Sequence, residues 1–310
     1  FVGDVLDYIP GVTTLKWNEI TTSLQSGDPK HPIFQYIFEC FHTLEDTPYI
    51  LMNTFQELEN VSLSSVEEGL KKKLFSIGPM LPPWYFDDDG GKQNVHETNK
   101  RMAASLWKED YSCLQWLDEQ TDKSVLYVSF GSLTILTCEQ FVEIALGLEM
   151  SLKPILWVIR PDLMIKQMPV VFPDGYLERM HGRSCFVSWA PQKQVLIHRS
   201  IGGFFTHCGW NSTLESISAG VPILGWPYFA DQMLNCRQCV DRWGLGLDIE
   251  TNELGFVSKE EVCKKVKMIM QPSELLVREN SEKWKNSAHQ AIGQGGSSHS
   301  HWKEFLQSFS

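Results

Sequence analysis

The sequence lacks any apolar run that approaches the roughly 20 residues needed by a membrane-spanning helix. Its first residues also lack the charged, apolar and small-residue regions of a secretory signal. Positive charge is scarce, because 27 Lys and Arg stand against 38 Asp and Glu. A protein that binds the phosphate backbone of nucleic acid needs a clustered basic surface. We therefore expect a soluble, cytoplasmic protein that binds no nucleic acid and does not insert into membranes.

Three further patterns are missing or isolated. The eight cysteines show no framework spacing, which favours a reducing compartment, and Cys236 and Cys239 form a lone C-x-x-C that favours packing over zinc or redox chemistry. No G-x-G-x-x-G follows a predicted strand, so a dinucleotide-dependent oxidoreductase loses its main support. The acidic run from Asp87 to Asp89 lies in a Gly-containing stretch and is typical of a solvated loop rather than a metal site.

The chain divides at a polar, aperiodic stretch from Pro82 to about Asp110, which we expect to be an exposed connection. Before it, the pattern predicts a helix over Asp28–Thr47, a strand over Tyr49–Thr54 and a helix over Gln56–Leu74. After it, six strand-like runs alternate with helical patterns, which predicts an α/β fold with a doubly wound parallel sheet. The six runs are Val125–Phe130, Ile155–Ile159, Cys185–Trp189, Gly202–His207, Val221–Trp226 and Leu245–Ile249.

Residues 189–232 are the most informative part of the chain. Gly202–His207 suits a buried strand, Cys208 and Gly209 suit a turn, and Asn211–Ala219 suits a helix. A strand, a tight turn and a helix N-terminus form an anion site, because the first helical amides lack partners within the helix and carry the positive end of its dipole. No Lys or Arg lies between Ile201 and Leu234, so the pattern predicts a diphosphate held by backbone amides.

A purely structural interpretation of the same residues is available. Ser212 and Glu215 have the spacing of a capping box, in which both side chains satisfy backbone amides of their own helix. His207, taken alone, is typical of a hydrogen-bonded core histidine. Binding is favoured by the grouping of both with Trp210 and Asn211 at the carboxyl end of one strand, where open α/β sheets bind ligands.

The stretch resembles the signature box of the plant family-1 UDP-glycosyltransferases, which glucosylate small natural products. Its pattern is filled by Trp189-Ala190-Pro191-Gln192, His207-Cys208-Gly209-Trp210-Asn211-Ser212, Glu215, Gly220-Val221-Pro222, Trp226-Pro227 and Asp231-Gln232. Ser129–Ser132, Asn53–Glu59, Ile77–Pro79 and Gly295–Ser298 resemble further family landmarks, and the whole chain aligns in character with the later two-thirds of such an enzyme. The resemblance implies a GT-B fold with one complete Rossmann-like domain and the C-terminal part of a second.

The implied domains are an acceptor-domain remnant over 1–81, a linker over 82–110, a UDP-sugar donor domain over 111–293, and a C-terminal helix over 294–310 that returns toward the first domain. The resemblance also implies a role for each residue of the donor site. Trp189 stacks on the uracil, with Ala190 beside it and Gln192 near the base or ribose, and Glu215 accepts from the ribose hydroxyls. The diphosphate is held by His207, Gly209, Asn211, Ser212 and Ser132. The sugar is contacted by Trp210, Asp231 and Gln232, and the first and last of these match the choices that accompany glucose in the family.

The family activity is an inverting transfer of glucose from UDP-glucose to a hydroxyl of a small lipophilic acceptor, such as a phenolic, terpenoid or hormone-like alcohol. It requires no metal and no cofactor beyond the donor. The family's general base is a histidine near the start of the first domain, oriented by an aspartate, and we expect both to be absent here, so that the chain alone, a monomer, is inactive. The alternatives are a truncated paralogue that binds UDP-sugar without turnover and, with less support, a nucleotide-dependent oxidoreductase.

Overall fold

The computed structural model describes residues 5–25, 28–87, 107–163, 171–271 and 275–309. Up to Asp87 the sheets are small, and we call this part the smaller unit. In it, β1 (Val5–Leu6) pairs antiparallel with β2 (Leu15–Lys16), and β3 (Ile50–Met52) pairs parallel with β4 (Leu74–Ser76). Its helices are α1 (Thr22–Gln25), α2 (Pro32–Asp46) and α3 (Gln56–Leu70), with 3-10 turns at Trp17–Glu19 and Pro83–Phe86.

The ends of α2 and α3 have local causes. Helix α2 starts at Pro32 because proline is favoured in the first helical turn, and the Nδ1 atom of His31 accepts a hydrogen bond from the Ile33 amide at 3.3 Å. Helix α3 ends at Leu70 because Lys71 adopts a left-handed conformation with φ 52°. The predicted helix over Gln56–Leu74 was therefore too long. Strand β4 was not predicted, because its three residues are too few to show a period.

The larger unit contains the predicted parallel sheet. Its strands are β5 (Val125–Ser129), β6 (Ile155–Val158), β7 (Ser184–Val187), β8 (Ile201–Thr206), β9 (Ile223–Gly225) and β10 (Gly246–Asp248). They are ordered β10-β9-β8-β5-β6-β7, and every pair is parallel. The sheet therefore grows in opposite directions from β5 and β8, and the topological switch point lies between these two strands.

Helices cover both faces of this sheet. They are α4 (Ser112–Asp118), α5 (Cys138–Ser151), α6 (Tyr176–Arg179), α7 (Gln192–Leu196), α8 (Trp210–Ala219), α9 (Gln232–Arg237) with a π-helical turn at Gln238–Arg242, α10 (Lys259–Ile269), α11 (Leu275–Ile292) and α12 (Ser297–Gln307). Burial on both faces explains why the central strands are almost wholly apolar, as in Val125–Val128, all of which are fully buried. None of the helices in the described ranges is long and apolar enough to cross a lipid bilayer.

Two sets of contacts join the larger unit to the smaller one. Helix α12 lies against the smaller unit, where His301 hydrogen-bonds the Ser76 hydroxyl at 3.0 Å and Phe305 packs edge-on against Tyr49. In the 3-10 turn, Tyr85 is only 2% exposed and its hydroxyl donates to the backbone oxygen of Glu215 at 2.7 Å. The expectation of an exposed connection from Pro82 onward was therefore wrong for Tyr85, whereas Pro83 is exposed as expected; residues 88–106, with the rest of the acidic run, lie outside the described ranges.

Candidate functional site

Two loops meet at the switch point of the sheet. Strand β5 ends at Ser129, which is in register with Thr206 at the end of β8, so the loops after them lie side by side. The ring of His207 lies between two glycines of these loops. A Cβ added to either Gly131 or Gly209 would lie 2.5 Å from its Nε2 atom. The loop after β5 also carries Ser132, which the structure therefore brings to the same edge as His207.

The turn from β8 into α8 forms an anion cradle. Cys208 has φ 62°, a left-handed conformation that is unfavourable for a residue with a side chain, and its amide donates to the Thr206 hydroxyl at 3.3 Å. The first amide of the α8 ladder is that of Thr213, which donates to the Gly209 oxygen at 2.9 Å. The amides of residues 210–212 thus precede that bond and lie at the positive end of the helix dipole. Such a turn is suited to bind a diphosphate.

His207 is neutral at physiological pH. Burial lowers its pKa to about 4, the negative charge of Asp231 opposes this shift, and the positive charge of Arg160 adds to it. A neutral imidazole donates or accepts a hydrogen bond without adding charge to the cradle. A bound anion would favour the protonated ring, so anion binding and protonation of His207 should be coupled.

A buried arginine supports the cradle from behind. Arg160 follows β6 and is 2% exposed. Its guanidinium donates to the backbone oxygens of Gly131 and Thr134, the latter at 2.8 Å, and its Nε atom pairs with Asp162 at 2.9 Å. These bonds fix the loop that carries Ser132. Arg160 was not predicted as a site residue, because it lies before residues 189–232 and belongs to no motif.

Glu215 does not have the capping role that its spacing suggested. Helix α8 has Gly209 as its N-cap and begins at Trp210, so Ser212 already lies inside the helix and caps nothing. The carboxylate of Glu215 instead accepts a hydrogen bond from Gln192 Nε2 at 2.7 Å, and Ser212 Oγ accepts from the same nitrogen at 3.0 Å. The structural interpretation of this pair was therefore wrong, because a spacing motif does not identify where the helix begins.

The surroundings of Glu215 are polar and enclosed. Burial raises its pKa above the usual value, while the hydrogen bond from Gln192 and the charge of Lys193, 3.5 Å away, oppose that shift. The Tyr127 hydroxyl on β5 donates to Gln192 Oε1 at 3.1 Å and so orients the amide. A buried carboxylate with one amide partner can exchange that partner for the hydroxyls of a bound sugar.

Trp189 and Ala190, the first residues of the 189–232 stretch, come just before α7. Trp189 is half-buried against the apolar cluster between the sheet and the helices α4 and α7, and its backbone oxygen accepts from the Asp110 amide at 2.8 Å. Ala190 is 4% exposed and belongs to the same cluster. Trp189 is thus partly accessible, and it lies three residues before Gln192 in the sequence.

Trp210, Asp231 and Gln232 differ in how far their side chains are already engaged. The indole nitrogen of Trp210 donates to the Asn53 backbone oxygen of the smaller unit at 2.8 Å, so this donor is already engaged. Gln232 is 4% exposed, and its Oε1 accepts from the amides of Tyr228 and Phe229 at 2.9 and 3.2 Å. Asp231 is exposed at the start of α9. Asn211 is likewise exposed, in the first turn of α8.

The remaining chemical candidates lie elsewhere. Cys236 and Cys239 are buried free thiols in the apolar cluster beneath α8, as the packing interpretation predicted. No group of three or more His, Cys, Asp or Glu in the described part of the chain is arranged to hold a metal. His198 forms a pair with Asp118 at 3.2 Å, but it precedes β8 and so lies at the opposite edge of the sheet.

Comparisons with known proteins place this chain in a family. Residues 31–281 match the family described as UDP-glucoronosyl and UDP-glucosyl transferase. UDP-glycosyltransferase 85A7 of Arabidopsis thaliana is 37% identical over 93% of this chain, and 7-deoxyloganetin glucosyltransferase of Catharanthus roseus is 36% identical over 99%. The structure of Phytolacca americana UGT2 complexed with UDP-2fluoro-glucose and pterostilbene has a TM-score of 0.81 and 31% identity over 96% of this chain.

The chain spans about three fifths of the length of these proteins, namely 57% of the Arabidopsis protein, 61% of the Catharanthus protein and 62% of the Phytolacca chain. The structural similarity and the six-stranded parallel sheet confirm the predicted GT-B type of α/β fold with a Rossmann-like domain.

Proposed function

Because the chain belongs to the UDP-glucoronosyl and UDP-glucosyl transferase family, among its plant family-1 members, we propose that it binds UDP-glucose at the switch point of its larger sheet. The proposal rests on two features of the same helix, α8: a buried carboxylate at Glu215 and an N-terminal turn suited to a diphosphate. One helix thus offers partners for two adjacent parts of the same nucleotide.

The other residues of the site complete the pocket for the donor. Trp189 stacks on the uracil next to Ala190, and Gln192 turns from Glu215 toward the base or ribose. His207, Gly209, Asn211, Ser212 and Ser132 surround the diphosphate. The carboxylate of Asp231 accepts hydrogen bonds from the sugar hydroxyls, the side-chain nitrogen of Gln232 donates to them, and Trp210 lies beside the sugar. Glucose is the proposed sugar, since the identities of Trp210 and Gln232 accompany glucose in the family.

In the reaction, an acceptor hydroxyl attacks the anomeric carbon of glucose, and the bond from that carbon to the diphosphate oxygen breaks on the opposite face. The electron pair stays on UDP, and the acceptor proton passes to a base. The α8 amides and His207 stabilise the charge that develops on the leaving diphosphate, with no metal required. The acceptor is a small alcohol of the phenolic, terpenoid or hormone-like kind. The similarity to 7-deoxyloganetin glucosyltransferase and to the pterostilbene complex supports this class.

These 310 residues alone are proposed to bind the donor without transferring it. Apart from His207 and the exposed His181, each described histidine has a contact away from the cradle. The pairs are His31 with Ile33, His42 with Phe38, His198 with Asp118, His289 with Ser218, His299 with Gly295 and His301 with Ser76. None of these contacts supplies a base beside the sugar, and loss of general-base catalysis lowers a rate by about 10²- to 10⁴-fold. Incubation with UDP-glucose and a panel of phenols and terpenoid alcohols tests this, and robust glucoside formation seen by mass spectrometry would refute it.

Isothermal titration calorimetry with UDP in the presence of a chelator tests donor binding. We expect binding to persist without metal, and loss of binding on chelation would overturn the metal-free site. Glu215→Ala should weaken UDP binding by about 1 to 3 kcal/mol, because charge-assisted hydrogen bonds are removed.

Glu149→Ala is the matched control, since it removes another partly buried glutamate, which is paired with Arg179 on the outer surface. We expect the control to bind UDP as the unchanged chain does. Equal affinity for UDP in the Glu215 and Glu149 variants would contradict the proposed contact between Glu215 and the ribose.

The cytoplasmic location and the monomeric state stay predictions. Fluorescent tagging in plant cells and light scattering of the purified chain are the measurements that check them.

A further inference from the structure

The turn that precedes Asp231 and Gln232 is hydrogen-bonded to the smaller unit. The amide of Thr22, at the start of α1, donates to the backbone oxygen of Ala230 at 3.2 Å. The amide of Ala230 in turn donates to the Thr22 hydroxyl at 2.9 Å. A single threonine therefore satisfies both backbone groups of Ala230.

Ala230 needs this support. Its φ of 57° lies in the left-handed region, which is unfavourable for a residue with a side chain. Such a conformation persists only where the surroundings impose it. The two bonds from Thr22 act on the residue that sets the direction of the chain into Asp231, the N-cap of α9.

A shift of Ala230 would be transmitted to the residues that follow. Gln232 accepts through Oε1 from the amides of Tyr228 and Phe229, so its side chain closes the same turn. The Asn235 side-chain amide donates to Asp231 Oδ2 at 2.9 Å and to the Cys208 backbone oxygen at 3.0 Å. The turn before α9 and the cradle before α8 are thus joined in one hydrogen-bonded network.

The segment that carries Thr22 is itself fixed. The Gln25 side chain donates to the backbone oxygens of Ile20 and Asn18 at 2.7 and 3.0 Å, which closes the chain around Thr22. Gln238, in the π-helical turn after α9, donates to the Gly11 oxygen at 3.2 Å. The smaller unit therefore holds α9 and the preceding turn at two separate points.

We propose that Thr22 is a positioning residue for recognition of the donor sugar: its hydroxyl and amide hold the left-handed Ala230 and thereby place Asp231 and Gln232 against the sugar. Selectivity for the sugar then depends on a residue of the smaller unit, far outside residues 189–232. This inference rests on the proposed function, because it concerns the sugar end of the same donor site.

The test is calorimetry of the 310-residue chain with two ligands, UDP and UDP-glucose, of which only the second carries the sugar. Thr22→Val removes the hydroxyl and keeps the branched shape. We expect it to leave the Kd for UDP unchanged and to weaken UDP-glucose by about three- to tenfold, the equivalent of about one neutral hydrogen bond. Thr22→Ser, which keeps the hydroxyl, should bind both ligands as the unchanged chain does.

Thr21→Val is the matched control, because among the described residues the hydroxyl of Thr21 is hydrogen-bonded to the Ser23 hydroxyl, at 3.1 Å, and not to the turn. Adding Ala230→Gly to Thr22→Val should recover part of the UDP-glucose affinity, since glycine adopts the left-handed conformation freely. Thermal unfolding of each variant identifies any that fail to fold, and the serine and glycine variants then carry the comparison.

An unchanged Kd for UDP-glucose in Thr22→Val, or an equal loss for both ligands, would overturn the proposal. Equal Kd values for UDP and UDP-glucose in the unchanged chain would also overturn it, because the sugar would then contribute nothing to binding. Failure of the unchanged chain to bind UDP at all is a different result, because it would refute the proposed function itself.

Discussion

The affinity for UDP-glucose should rise as the pH falls, and His207 should be the cause. Its pKa of about 4 means that the free site holds a neutral ring above that pH. A diphosphate beside the ring favours the charged form and raises the pKa in the complex. If the ligand only restores the ordinary value of about 6.5, the affinity increases by about 30-fold between pH 8 and pH 5.

The measurement is calorimetry of UDP-glucose across this range, compared with His207→Gln. UDP-glucose is preferred to UDP because both of its phosphates are esterified, whereas the terminal phosphate of UDP itself titrates near about pH 6. Glu215 also has a raised pKa, but it is present in both proteins. The difference between the two profiles therefore isolates His207. Parallel profiles would refute the coupling of protonation to anion binding.

The same pKa has a consequence for stability in the absence of ligand. The folded state binds a proton at His207 less readily than the unfolded chain, whose histidine titrates near about 6.5. Stability is therefore fully present above that pH and decreases as the pH falls toward about 4, by an amount on the order of 3 kcal/mol. Urea unfolding at several pH values should show a smaller decrease for His207→Gln.

Three further outcomes are expected. Gln232→His, in a form of the protein that turns over, should shift preference from UDP-glucose toward UDP-galactose, because recognition of a hydroxyl discriminates when a buried partner would be left unpaired; an unaltered product ratio in a competition between the donors would count against this. Arg160→Met should weaken UDP by about tenfold through loss of the bonds that fix the loop after β5, whereas calorimetry showing full affinity would make that loop self-supporting. Tyr85→Phe should lower the free energy of unfolding by about 1 kcal/mol, since the Glu215 backbone oxygen loses a buried donor; an unchanged urea midpoint would contradict this.

The six strands of the larger sheet were predictable because they are short runs bounded by turn residues, and the central strands are also buried on both faces, as in Val125–Ser129 and Ile201–Thr206. The candidate donor residues were proposed for a different reason. All except Ser132 lie within residues 189–232, whose pattern resembles a family signature, and the residues that follow β5 and β8 lie at the carboxyl ends of neighbouring parallel strands. Their roles stay predictions.

The features that escaped prediction depend on distant contacts. Strand β4 exists because Leu74–Ser76 pairs with β3, and its sequence alone shows no period. Arg160 gains its place from two loop oxygens 26 and 29 residues before it. The burial of Tyr85 and the bonds of Thr22 to Ala230 join the smaller unit to the larger one. A propensity or a motif carries no information about such pairs.

A crystal structure of the chain with UDP-glucose would test the proposed donor site. We expect the uracil on the indole of Trp189, the ribose hydroxyls on Glu215 in place of Gln192, and the diphosphate within hydrogen-bond distance of the amides that start α8, with no metal between them. Density for the diphosphate at any other helix or loop, or for the nucleotide away from Glu215, would contradict it.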